Sequence, residues 1–143
     1  MNSQLFSQKL PTKNTRDCWI YAERKVGDYP EHTARGGKWL VFVGNHNVDR
    51  AWLKIRKAVE EGKLGGTAKV ATARVNLDFP GSKTKVICVY TYDWRDERDV
   101  KRVREELRKL GITRKIAYKS DDDTDRGKYR TTGATEKISK YYE

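Results

Sequence analysis

Trp39-Leu40-Val41-Phe42-Val43, closed by Gly44 and followed by a helix-like stretch at residues 49–61, decides the fold of this chain. The arrangement recurs. Val86-Ile87-Cys88-Val89-Tyr90 leads into a second helix-like stretch at residues 96–110. A short apolar run followed by a segment of helical spacing, twice over, predicts one α+β sheet domain.

The two helical stretches carry their own punctuation. In the first, Trp52, Ile55 and Val59 recur on one face, and Val48, Ala51 and Ala58 widen the stripe. Asn47 or Asp49 can cap it, and Gly62 stops it. In the second, Val100, Val103, Leu107 and Leu110 form the stripe, Asp93 or Asp96 can cap it, and Gly111 stops it. Its other face alternates charge, with Glu97 and Lys101, and Glu105 and Lys109, at the favourable i,i+4 offset. Lys101, Arg104, Arg108 and Lys109 therefore read as a solvated helix surface.

Around the helices, strands are predicted at 18–22, 38–43, 69–75, 85–92 and 115–119, with an edge strand at 129–132. The loop at 27–37 is broken by Pro30 and by Gly36-Gly37. The order is ββα-ββα-ββ, a curved and mostly antiparallel sheet with two helices on one face and the other face free. If the outermost strands are dropped, the same string reads as βαββαβ, the ferredoxin-like order. Residues 1–15 read as a flexible arm, 16–132 as the single domain and 133–143 as a tail.

Composition narrows the partners. The 143 residues carry a net charge of +11, which attracts polyanions and speeds their encounter at low salt. A plain surface rich in Lys, Arg and Glu is the competing explanation. Cys18 and Cys88 have no CxxC spacing and no companion histidines, so no metal site and no cofactor is expected. Polar residues 1–13 lack the apolar core of a signal peptide, and no apolar run approaches the ~18 residues of a membrane span. The chain reads as cytoplasmic, in a reducing compartment.

Few side chains carry a chemical signature. Trp52 lies on a helical stripe and reads as core. Trp39 starts a strand beside Gly36-Gly37 and Lys38. There it either packs into the core or stacks on a base, with the glycines admitting the ligand and Lys38 meeting its phosphate. Lys38, Lys69, Arg74, Lys83, Lys85, Lys119, Arg126, Lys128 and Arg130 lie on strands or loops and can converge on one sheet face. The acidic run from Asp121 departs from a calcium loop, with Gly127 seventh rather than sixth and Thr132 where the twelfth-position Glu belongs. His32 and His46 are the only histidines, and both read as loop residues. No Ser-His-Asp set, P-loop or Rossmann glycine pattern occurs.

Three pieces together resemble the basophilic-leukaemia-expressed protein family. They are Gly37-Lys38-Trp39 with Val48-Asp49-Arg50-Ala51-Trp52, then Val86-Ile87-Cys88-Val89-Tyr90, then Tyr118-Lys119-Ser120-Asp121 with Tyr129 beyond. The resemblance covers roughly residues 36–130. It implies a fold like that of translation initiation factor 4E, a curved antiparallel sheet backed by helices. It also implies a distant likeness to phosphothreonine lyases, in which a lysine abstracts the α-proton, a histidine is the acid and arginines hold the phosphate. By that likeness Lys69 stands for the base, and Arg74 and Tyr90 for phosphate-side groups. Leu40, which has no proton to give, stands where the acid histidine belongs.

The leading expectation is binding of RNA or a nucleotide-like phosphate ligand on the open sheet face, through Lys38, Trp39, Lys69, Arg74, Tyr90, Lys119 and Arg126. The alternative is a lyase-like enzyme acting on a phosphopeptide with Lys69 as base. A protein-binding scaffold is the third reading.

Overall fold

The computed structural model describes residues 9–74, 81–121 and 140–143. Among these residues six strands and two long helices alternate in the predicted order. They are β1 (Trp19–Glu23), β2 (Gly37–Gly44), α1 (Val48–Glu60), β3 (Thr67–Ala71), β4 (Thr84–Thr91), α2 (Glu97–Lys109), β5 (Ala117–Ser120) and β6 (Tyr141–Tyr142). They form one curved sheet in the order β1-β3-β4-β2-β5-β6, and every neighbouring pair is antiparallel.

Both sequence-level topologies are present at once. The inner strands run β3-β4-β2-β5. β2 and β3 both oppose β4, so they are parallel to each other, with α1 as their crossover. β4 and β5 likewise both oppose β2 and are joined through α2. This is the βαββαβ pattern, widened by β1 on one edge and β6 on the other.

Strand alternation gives each face its character. Trp39, Val41, Ala68, Val70, Ile87, Val89 and Tyr118 point to one side and meet Trp52, Ile55 and Val59 of α1 and Val100, Val103 and Leu107 of α2. That layer is the core, where each fully buried large side chain contributes about 1.5–3 kcal/mol. Neither α1 nor α2 covers the opposite sheet face.

Several local expectations need correction. β3 ends at Ala71 rather than at residue 75. The strand predicted at 129–132 lies outside the described residues. Tyr141–Tyr142, placed by the sequence in the tail, pairs with β5 as the sixth strand. Residues 9–15, placed in a flexible arm, are docked: Thr12 donates through its amide (3.0 Å) and its hydroxyl (2.5 Å) to Asp49. Asp49 is spent there, and α1 has no side-chain cap. Asp96 caps α2 by accepting from the Asp99 amide at 3.2 Å. The ion pairs of α2 run i,i+3, Glu105 with Arg108 and Glu106 with Lys109.

Arg104 is the largest departure. It is 1% exposed and sits beside the Trp39 ring. It donates to the carbonyls of Glu143 (2.8 Å), Ile112 (2.8 Å) and Arg114 (2.7 Å). A helix position that charge alternation places in water is here a buried fork. Fixed donors of this geometry suit several carbonyls at once.

The candidate ligand face

The open face is laid out by register. One row crosses all six strands: Tyr21, Lys69, Cys88, Leu40, Ala117, Tyr142. Beside it runs a second row, Tyr90, Lys38, Lys119. Four of the expected residues, Lys38, Lys69, Tyr90 and Lys119, therefore share this face, because Lys69 lies in the first row and each of the others lies two positions along its own strand from a member of that row. Tyr21 (61% exposed), Phe42 (55%) and Tyr142 (55%) interleave aromatic surface with the lysines.

The ammonium of Lys69 lies 4.0 Å from the centre of the Trp19 ring and 6.0 Å from that of Tyr90. Lys38 is buried and approaches Tyr90 from the other side at 5.8 Å. Both lysines lie near the Cys88 thiol, yet burial prevails and pushes that thiol up to about 11. Burial also raises the Tyr90 phenol, so it stays protonated and can donate a hydrogen bond.

Two functional candidates were not singled out from the sequence. Asp121, directly after β5, accepts from Lys38 Nζ on Oδ1 and meets His32 Nε2 on Oδ2, each at 2.8 Å. The His32 ring stands 6.3 Å from that of Tyr90. Gly36 is what lets His32 in, since a Cβ at that position would fall 1.7 Å from Nε2. Gly37 does the same for the Tyr118 ring, at 2.6 Å. The glycine pair thus makes room for the protein's own rings, and sequence spacing contains no sign of it.

Three expected site residues do not join the face. Trp39 is fully buried on the helix side. Its indole donates to the Val100 carbonyl (3.1 Å), and Tyr118 packs edge-on at 5.3 Å. It offers no ring to a ligand, because strand alternation sends it opposite to Lys38. Arg74 lies beyond the end of β3, exposed, with its amide donating to the Thr72 hydroxyl. Arg126 lies outside the described residues. Lys85 also points to the helix side, where it donates to Asn45 Oδ1 and burial lowers its affinity for a proton.

A cleft of about 240 Å³ opens between Tyr29, Pro30 and His32 on one side and Tyr90 and Tyr92 on the other, with Gly66 and Thr67 between them. Tyr29 is fixed there by donating to Asp99 Oδ2 (2.5 Å) while its oxygen accepts from the Tyr92 amide (3.1 Å).

The curved antiparallel sheet with helices on one face resembles that of solved initiation factor 4E structures. The likeness to solved structures is one of fold. A schistosome eIF4E complexed with m7GpppA and 4E-BP matches with a TM-score of 0.55 at 17% identity, over 76% of this chain and 59% of that one. A schistosome eIF4E with m7GpppG and 4E-BP matches with the same TM-score and coverage at 16% identity. Ascaris suum eIF4E-3 with an m2,2,7G cap gives 0.52 at 23%, over 76% and 57%. The chain spans less than two thirds of the length of these relatives. Residues 13–124 match the model of the family described as Basophilic leukemia-expressed protein Bles03, and the chain belongs to that family.

Proposed function

We propose that the protein binds RNA or a nucleotide-like phosphate ligand on the open sheet face. The observation that carries this reading is the convergence of Lys38, Lys69 and Lys119 on one face with Tyr90, Trp19 and Tyr21. Lysines supply phosphate contacts, Lys69 from a half-buried position and Lys38 and Lys119 from buried ones, and the exposed ring of Tyr21 with the half-buried Trp19 supplies stacking worth about 1–3 kcal/mol per base. The three eIF4E structures of this fold were crystallised with cap nucleotides, which supports the choice of ligand class.

Recognition of a cap by a two-tryptophan sandwich is not part of the proposal. Trp39 and Trp52 are fully buried, and Trp94 packs against the core beside Tyr141. Trp19 alone of the four lies on the open face. The free cysteines suit a cytoplasmic setting.

The test is fluorescence anisotropy of a labelled single-stranded RNA titrated with the protein. Binding should weaken with salt, with a log–log slope of about −0.7 per phosphate contacted. Binding lost in Lys69→Ala and Tyr90→Ala supports the reading. No binding at low salt contradicts it.

The lyase reading keeps one favourable observation: the ammonium of Lys69 stands close to Tyr90 and shares its face with Lys38. Against it, Arg74 falls off the strand and Leu40 faces Cys88 with no proton to give. Loss of phosphate from a phosphothreonine peptide, abolished in Lys69→Ala, would revive it.

A further inference from the structure

We propose that Lys38 and His32 form the phosphate grip of the open face, and that Asp121 occupies this grip until a mononucleotide-sized phosphate ligand displaces its carboxylate. This rests on the reading of that face as a nucleotide or RNA site.

The grip is a built feature. Asp121 presents one carboxylate oxygen to Lys38 and the other to His32, each at 2.8 Å, a fork that a phosphate can match with oxygens to spare. Its backbone is fixed separately, through the amide donating to the Gly36 carbonyl at 2.9 Å. The side chain can therefore leave without the strand end unravelling. His32 reaches the site only because Gly36 has no Cβ.

Exposure indicates which member moves. The Lys38 side chain is 10% exposed, whereas those of Asp121 and His32 are 31% and 45% exposed. A lysine held that far from water needs an anion beside it. The anion itself faces solvent and is free to be exchanged. A phosphate dianion brings up to about two negative charges where the carboxylate brings one, among lysines 38, 69 and 119.

The neighbouring cleft sets the ligand's size. His32 and Tyr90 line both the grip and the cleft of about 240 Å³. That volume falls just below the ~300–1,000 Å³ of drug-sized ligand pockets. Walled by Tyr29, Tyr90 and Tyr92, it suits one planar ring, with the attached phosphate on Lys38 and His32.

Calorimetric titration of the full chain tests this with three probes: a nucleoside 5′-monophosphate, the same nucleoside without phosphate, and inorganic phosphate. The proteins are wild type, Asp121→Ala and Gly36→Ala, with Asp121→Asn used if the alanine variant fails to fold. Removing the carboxylate should tighten the monophosphate about tenfold, as expected when a competing closed state is removed. Inorganic phosphate should tighten in parallel, and the nucleoside should be unaffected. Gly36→Ala, which evicts His32, should weaken the monophosphate. If Asp121→Ala leaves monophosphate affinity unchanged or lower while wild type still binds RNA, the displacement is wrong and the open-face function stands. If neither wild type nor Asp121→Ala binds monophosphate or RNA, the open-face reading fails and the grip with it.

Discussion

Arg104, in the middle of α2, holds the carbonyl of Glu143 at 2.8 Å from its Nε, and so fastens β6 to the helix layer. The remaining guanidinium nitrogens hold Ile112 and Arg114, which flank the turn into β5. Removing the fork takes the Arg104 donor from the carbonyls of Ile112 and Arg114, while that of Glu143 keeps the Ile116 amide at 2.9 Å. Arg104→Met should destabilise the fold by at least about 2 kcal/mol, because buried groups left unsatisfied cost more than the bond was worth. Urea denaturation measures the loss. Hydrogen exchange should show the amides of Lys140 and Glu143 opening first.

Trp39 separates stability from binding. Trp39→Ala should cost about 3–5 kcal/mol, the range for deleting a large aromatic from a core. Trp39→Phe, which keeps most of the volume and loses the bond to the Val100 carbonyl, should cost less and leave RNA affinity intact. Thermal melting and anisotropy on the same preparation check both halves.

The frame of the fold was legible because it rests on period. The apolar stripes through Trp52 and Val103 and the strands through Val41 and Val89 all lie where spacing places them. The site was legible only in part: alternation orders the side chains within each strand, and the register across β2, β3, β4 and β5 is what puts Lys38, Lys69, Tyr90 and Lys119 on one face. Alternation also sends Trp39 to the other face, a consequence hidden until the register with Val89 and Tyr118 is known. His32 and Asp121 are 89 positions apart, and no local pattern joins residues so distant. Arg104 escaped because charge alternation describes a helix in water and says nothing of carbonyls arriving from β5 and β6.

Asp93 predicts an acid-sensitive contact. The Arg35 guanidinium grips both its oxygens, at 3.0 and 2.6 Å, and holds the carboxyl below the usual carboxylate range against the opposing effect of burial. A depressed folded pKa contributes stability that is fully present above the unfolded value of about 3.9, and lost as pH falls through the folded value. Asp93→Asn should therefore destabilise the protein at neutral pH, and the gap from wild type should close below about pH 4. Melting curves across pH 2.5–7 give the comparison; a gap independent of pH would contradict it.

Cys88 should be inert. With its thiol pushed up to about 11 by burial, about one molecule in a thousand carries the thiolate at pH 8. Exposed Cys18 should take up iodoacetamide first, and Cys88 only under denaturing conditions. Peptide mass mapping after timed alkylation reads both sites.

The central claim concerns which face meets the ligand, and amide chemical-shift mapping during titration with a short single-stranded RNA tests it most directly. The account predicts shifts clustered at Trp19–Tyr21, Lys38, Lys69, Cys88–Tyr90 and Lys119, fading as salt is raised, with Lys54, Arg98 and Lys101 on the helices unmoved. Shifts confined to the helices, or none at low salt, would contradict it.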